Sequence, residues 1–354
     1  SNYQGNSFNN QRHKESNGQG VRMAERKKRV KRNGHKQGTD NYEFEVAFQS
    51  NLKDLPEQPL INDQGKRYGT VKVVNGKATV NLVLPEFVRD NNIQPFTLTD
   101  SIYLEICKND VEKQLKQILG SEITSTVKSI ECNITQKVSG KASQSDVLNL
   151  LCHATLSTDS DNHKWVGASK NNKYKEVTRT ITHTRQHYYV LKAYDKTREQ
   201  EIRNKKENKH NESVPKGLLR IEIVMQDRII KKLFGNKTSF SDILTKDSLI
   251  AIIQEYKRIF CDELIERDVK TYLNGCKLKL IESLTQTDNV VETIAKEREL
   301  IPDVEVLKKA MSKYLKLRHK STSNLSRDIK AYAERYALPQ DVILTLHDFK
   351  KSCG

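Results

Sequence analysis

The chain has 354 residues, 36% of them hydrophobic, enough to fill an apolar core in each of two folded units. Its 61 Lys and Arg against 45 Asp and Glu leave a formal charge of +16, which favours a polyanionic partner: DNA, RNA or an acidic membrane. The six cysteines never fall at CxxC spacing and no apolar run approaches the roughly 20 residues of a membrane span, so neither a zinc site, a disulfide framework nor a spanning helix is indicated, and a reducing cytoplasm is expected.

Residues 1–38 combine Asn, Gln, Ser and Gly with a basic block formed by Arg26, Lys27, Lys28, Arg29, Lys31 and Arg32, and hold almost nothing apolar to offset the entropy of ordering. A disordered basic tail is expected. It carries ten Lys or Arg against Glu15 and Glu25, half the net charge of the chain. That charge suits either a sequence-independent phosphate-binding arm or a solvated tail that aids solubility. Bulky apolar anchors are missing, which disfavours a membrane role.

Residues 39–245 read mainly as a sheet. Alternating runs at Tyr42–Phe48, Thr70–Val74 and Ala78–Leu84 predict strands, followed by others at Val127–Thr135, Thr178–Tyr194 and Leu218–Met225. Two helices are predicted among them. The first spans Thr99–Leu119, with Ile102, Ile106, Val111, Leu115 and Ile118 spaced for one apolar face; the second spans Ser143–Ala154 and opens on a Ser/Asp-rich cap. The polar stretch Lys205–Lys216 predicts an exposed insertion. From 246 to 354 the pattern is helical, at Asp247–Leu273, Val290–Leu300, Val304–Leu317 and Ser326–Ala337, punctuated by Asn274-Gly275, Pro302 and Pro339. The expected class is α+β: a central, largely antiparallel sheet with flanking helices, then a helical C-terminal region.

Three strand segments carry acids or a tyrosine inside apolar runs: 128–134 with Glu131, 187–196 with Tyr194, and 217–223 with Glu222. Pointing inward, Glu131 and Glu222 need a compensating charge such as a divalent metal; pointing outward they are ordinary surface carboxylates, and pattern alone favours the latter. Tyr194 lies where a strand runs into a charged, helix-forming segment. A phenol is a poor nucleophile at neutral pH unless a cation or metal favours the phenolate, and Lys192 and Lys196 are the local candidates. His183 and His187 lie on the same predicted strand. Seven residues separate His187 from Tyr194, which puts them on opposite faces of an unbroken strand, so both histidines are left out of the site.

In this order and at these separations the segments resemble the gene II replication initiators of filamentous phages and, more distantly, the initiators of staphylococcal rolling-circle plasmids. Ser129-Ile130-Glu131, Ala193-Tyr194-Asp195-Lys196 and Leu219-Arg220-Ile221-Glu222 match the three motifs. The likeness extends over about residues 78–245, taking in Leu84-Pro85-Glu86-Phe87 through Asn92-Ile93 and Thr99-Asp100 upstream and the basic stretch from Arg228 to Gly235 downstream. It departs at Asn81, where the phage proteins tend to carry a glutamate, and at Glu131, where they carry an aspartate preceded by an arginine two residues earlier.

The resemblance implies a rolling-circle initiator nuclease fold and a site-specific nicking and rejoining enzyme working through a 5′-phosphotyrosyl intermediate. Tyr194 would be the nucleophile, assisted by Lys192 and Lys196, and Glu131 and Glu222 would hold Mg²⁺ or Mn²⁺. Arg220 would contact the DNA backbone, as would Arg228, Lys231, Lys232 and the tail's basic block. The implied partner is single- or double-stranded origin DNA in a bacterial host cell, with a host helicase and polymerase as further candidates. A mobilisation relaxase uses the same chemistry, and a non-catalytic copy-control protein would keep the basic surface without the cut.

Overall fold

The computed structural model of the chain describes residues 37–120, 122–156, 163–166, 180–185, 187–206, 213–287 and 289–353. The basic block at 26–32 and the middle of the predicted insertion, 207–212, lie outside them. Among these residues nine strands form one sheet in which every neighbouring pair is antiparallel: β1 (Gly38–Phe48), β2 (Leu55–Ile61), β3 (Arg67–Val74), β4 (Lys77–Val83), β5 (Ile123–Lys137), β6 (His163–Val166), β7 (Thr180–Arg185), β8 (Tyr189–Asp195) and β9 (Leu218–Met225). Their order is β2-β3-β4-β1-β5-β9-β8-β7-β6. The predicted α+β class with its antiparallel sheet holds. Gly38, the last residue of the stretch assigned to the tail, pairs with Asn133.

Local chemistry accounts for most strand ends. Asn75 and Gly76 both take positive φ, 50° and 74°, forming the two-residue turn that joins β3 to β4 and matches the right-handed twist of the hairpin. β2 was not foreseen, because Pro56 and Pro59 break the strand pattern; both are tolerated at the sheet edge, where one side needs no ladder partner. The predicted continuous strand Thr178–Tyr194 is instead a hairpin of β7 and β8. Its turn contains His187 in the left-handed region at φ 64°, and Arg185 pairs back onto Tyr189. With the chain reversed between them, counting residues from His187 to Tyr194 says nothing about shared faces.

Helices cover the sheet. α1 (Leu84–Val88) leads through a 3₁₀ turn at Leu98–Tyr103 into α2 (Leu104–Leu119). The expected face of α2 holds in part: Val111 and Leu115 are buried, together with Leu104, Cys107 and Leu119, whereas Ile102 is 71% and Ile106 58% exposed. Ile106 and Val111 both lie in α2 but five residues, about 140°, apart, and Ile102 precedes the helix in the 3₁₀ turn, so neither isoleucine shares the face of Val111 and Leu115.

α3 (Gln144–Leu156), α4 (Lys196–Lys206), α5 (Asp227–Phe234) and α6 (Phe240–Ile243) follow. α7 (Lys246–Lys257) continues through a π-helical segment, Arg258–Val269, into α8 (Lys270–Thr285), which runs straight through Asn274-Gly275. That pair is no break: Gly275 loses about 1 kcal/mol of helix propensity and the surrounding turns carry it. α9 (Val290–Lys296), α10 (Val304–Leu317), α11 (Leu325–Tyr336) and α12 (Val342–Ser352) complete the chain, the last beyond the predicted helices.

Among the described residues two apolar clusters result. The larger joins the sheet to α2, α3, α7, the π-helical segment and α12, through Tyr256, Phe260, Leu346 and Phe349 among others. The smaller gathers Leu280, Leu284, Ile294, Leu307, Met311, Tyr314 and Ile329 from α8 to α11.

Candidate active site

β5, β9 and β8 lie side by side, and strand alternation sorts their residues onto two faces. Cys132, Ile134, Ile221, Ile223, Leu191 and Ala193 are buried in the apolar core. The intervening residues form a polar face: Glu131, Asn133 and Thr135 on β5, Arg220 and Glu222 on β9, Lys192 and Tyr194 on β8. Register sets Glu222 between Asn133 and Lys192, and Arg220 between Thr135 and Tyr194. Glu131 and Glu222 therefore point to one place and not to open surface.

β1 adds a third acid. Thr39 lies opposite Cys132 and Tyr42 opposite Ile130, so Asp40 and Asn41 together face the single Glu131, a bulge of one residue. Asp40 Oδ2 accepts hydrogen bonds from Asn133 Nδ2 at 3.2 Å and Arg220 Nη1 at 2.7 Å. Its Oδ1 is buried and accepts none among the described residues. Carboxylate oxygens of Asp40, Glu131 and Glu222 all lie within 4.8 Å of one another.

Three carboxylates so close cannot all be ionised cheaply. Burial, then the Glu222 charge, pushes Glu131 up to about 8. Burial likewise raises Asp40 to about 6 although Arg220 pulls against it. The donors are hard oxygens, one of them unsatisfied, in a cluster whose negative charge lacks full compensation, which fits a hard divalent cation of the Mg²⁺ or Mn²⁺ kind.

Tyr194 meets this cluster. Its hydroxyl donates to Glu222 Oε1, and burial together with the Glu222 charge holds its pKa well above the usual phenol value. Lys192 Nζ lies 3.4 Å from Glu131 Oε2 and 3.9 Å from Glu222 Oε2, with its side chain 37% exposed at the rim. Lys196 takes another position. Its buried ammonium donates to Asn92 Oδ1 at 3.1 Å and Glu199 Oε2 at 2.5 Å, and burial, then Arg220, lowers its pKa.

Arg220 is fully buried, which removes it from the DNA backbone contact expected from sequence. Its Nε donates to Thr135 Oγ1 at 2.7 Å, and its Nη2 to the carbonyls of Asn92 and Ile93, the latter at 2.9 Å. It thus ties the segment after α1 to the carboxylate cluster. A backbone pairing between Thr39 and Phe96 anchors the same segment next to Asp40, and it requires Gly38, where a Cβ would collide with the Phe96 carbonyl.

The neighbouring tyrosines and the remaining sequence candidates lie elsewhere. Tyr189 points into the core and donates to Glu263 at 3.2 Å; Tyr188 sits in the β7–β8 turn beneath the Arg228 guanidinium. His187 is exposed in that turn, and the position of His183 on β7 is opposite Leu191, a core residue of β8. Arg228, Lys231 and Lys232 are exposed on α5, with Lys232 paired to Glu255 at 3.0 Å. Asn81 of β4 pairs with Glu43 of β1, and the third carboxylate comes from β1 instead of that strand. Sequence reasoning missed Asp40 because no alternation count anticipates a bulge; its one signal is an acid at the mouth of the first strand.

No protein-family model matches the chain, and no curated protein does. Among solved structures it is similar to a rolling circle replication initiator protein from Geobacillus stearothermophilus, with a TM-score of 0.27 and 10% sequence identity over 54% of this chain and 74% of that one. No helix among the described residues is long and apolar enough to cross a membrane.

Proposed function

We propose that the chain is a metal-dependent DNA nicking and joining enzyme of the rolling-circle replication initiator type, with Tyr194 as its nucleophile and origin DNA as its substrate. What supports the reading is one convergence: a tyrosine hydroxyl, three carboxylates and a rim lysine, drawn from four strands, on a single polar sheet face.

A divalent cation bound by Asp40, Glu131 and Glu222 would polarise the scissile phosphate and offset its charge. Tyr194 Oη attacks phosphorus in line; the Oη–P bond forms while the P–O3′ bond breaks. Glu222 Oε1, already hydrogen-bonded to the hydroxyl, takes the phenolic proton, and the departing O3′ is protonated from solvent. The products are a 5′-phosphotyrosyl enzyme and a free 3′-OH. Lys192, partly exposed beside two carboxylates, is placed to meet a phosphate oxygen, and Arg220 holds Asp40 and the Asn92–Ile93 carbonyls in position. Because the phosphodiester energy is kept in the tyrosyl bond, the reverse reaction rejoins the strand.

The test is covalent capture. Incubation with Mn²⁺ or Mg²⁺ and single-stranded DNA of randomised sequence is expected to give a slow-migrating adduct on a denaturing gel, and mass spectrometry of the cross-linked peptide is expected to identify Tyr194. Chelation with EDTA and the Tyr194→Phe change should each abolish it. An adduct that persists in Tyr194→Phe overturns the assignment.

A further inference from the structure

A groove between α8 and α10, lined by none of the residues of the candidate active site, gathers five lysines with one acid among them. The groove has a volume of about 610 Å³. Lys277 reaches it from α8, and Lys308, Lys309, Lys313 and Lys316 from α10; the one acid lining it is Glu305, which pairs with Lys308 at 3.5 Å. Five lysines against one glutamate leave a local charge of +4. Lys308, Lys309, Lys313 and Lys316 are all exposed.

Folding does not explain this arrangement. α10 packs through Val306, Leu307, Ala310, Met311 and Tyr314, on its other side, and like charges one turn apart oppose the helix. Lys309, Lys313 and Lys316 follow i, i+4, i+7 spacing, so they form one stripe, with successive charges about 5 Å apart along the axis. Leu278, Ile281 and Leu325 add apolar surface to the lining, with Leu325 buried and Leu278 exposed. Concave, low-dielectric walls under charges of one sign focus the field and raise the local concentration of a polyanion.

We propose that this groove binds the phosphate backbone of duplex DNA, a second contact surface distinct from the site of strand cutting. The choice of DNA as the polyanion rests on the function proposed above. Duplex is favoured over single strand because the lining holds no aromatic side chain, and single-strand tracts depend on stacking platforms. Lysine ammonium groups give point contacts to phosphates that carry no sequence information. The surface therefore supplies affinity and orientation, while sequence is read elsewhere.

The test is anisotropy of a fluorescein-labelled 30-base-pair duplex of mixed sequence, titrated with the full chain across a range of salt concentrations. Lys309→Gln/Lys313→Gln/Lys316→Gln removes three charges at exposed positions with a good helix former. Lys53→Gln/Lys72→Gln/Lys77→Gln, also exposed, removes three from the β2–β4 end of the sheet and serves as the control. At about 0.9 in slope per phosphate contact, the groove variant is expected to lose about 2.7 from the plot of log affinity against log salt, and roughly 100-fold in affinity at 0.15 M salt. The control should change less than threefold. Equal losses in both variants overturn the proposal, as does a wild-type chain that fails to bind duplex. Displacement of the duplex by polyglutamate at matched charge and salt also overturns it, assigning the groove to an acidic protein. The adduct assay on single-stranded DNA separates the two readings: the groove variant keeps adduct formation if both hold, and an absent adduct in the wild type counts against the nicking reading alone.

Discussion

Asp40, Glu131 and Glu222 are held together by a fold that also supplies Arg220 and Lys192, yet the positive charge falls short, and two of the acids bind protons far more readily than free carboxylates. This makes the metal-free protein sensitive to pH in an unusual direction. Glu131 goes from an ordinary 4.5 to about 8 on folding, so the folded state binds the extra proton, and stability present below about 4.5 is lost as pH rises toward 8. In EDTA the melting temperature should fall between pH 5 and 8, and Mn²⁺ should restore it by more at pH 8 than at pH 5.5. Glu131→Gln should flatten that pH dependence, stabilise the chelated protein above pH 7 by on the order of 1–3 kcal/mol, and remove most of the metal-induced shift. Differential scanning fluorimetry at three pH values checks all three outcomes. Arg220 is the counterpart: it donates four hydrogen bonds in a buried network, and Arg220→Met should lower stability by about 3–5 kcal/mol in urea unfolding because Asp40 loses its partner.

At the scale of elements, the carboxylate face depends on register and on one bulge. β5, β9 and β8 place their polar residues by simple alternation, but Asp40 arrives only because β1 carries an extra residue at that point. Gly38 permits the Phe96 segment to approach the same spot, so Gly38→Ala should reduce adduct formation at least tenfold while far-UV circular dichroism stays near wild type. α2 offers a test of which face is buried. Leu104→Ala, outside the face expected from sequence, should cost about 2–5 kcal/mol, whereas Ile106→Ser, on that expected face, should stay within about 0.5 kcal/mol. Chemical denaturation of the two variants decides it.

Across the whole molecule the helices after residue 245 do not share one core. α7 and α12 are built into the sheet's apolar cluster, whereas α8 to α11 close a cluster of their own. Val342, Leu346 and Phe349 are buried against the sheet's side of the molecule although they end the chain, and Ser139 Oγ on the loop after β5 donates to Asp348 at 2.7 Å. A chain ended after Tyr336 should therefore lose the sheet's cooperative thermal transition, measured by circular dichroism. Retention of that transition would show that α12 is dispensable to the core.

The existence of most elements was legible in the sequence, since two- and four-residue periodicities follow from burial on one face, and so was the placing of Glu131, Glu222 and Tyr194 within strands. Their meeting at one point was not legible, because pattern alone favoured ordinary surface carboxylates, and only strand order brings β5, β9 and β8 together. Asp40 stayed hidden behind a bulge, the β7–β8 turn behind residues with no turn signature, and the inward role of Arg220 behind its charge. Local sequence encodes local periodicity; which faces oppose each other is set by long-range hydrogen-bond register and packing, which no window of neighbouring residues contains.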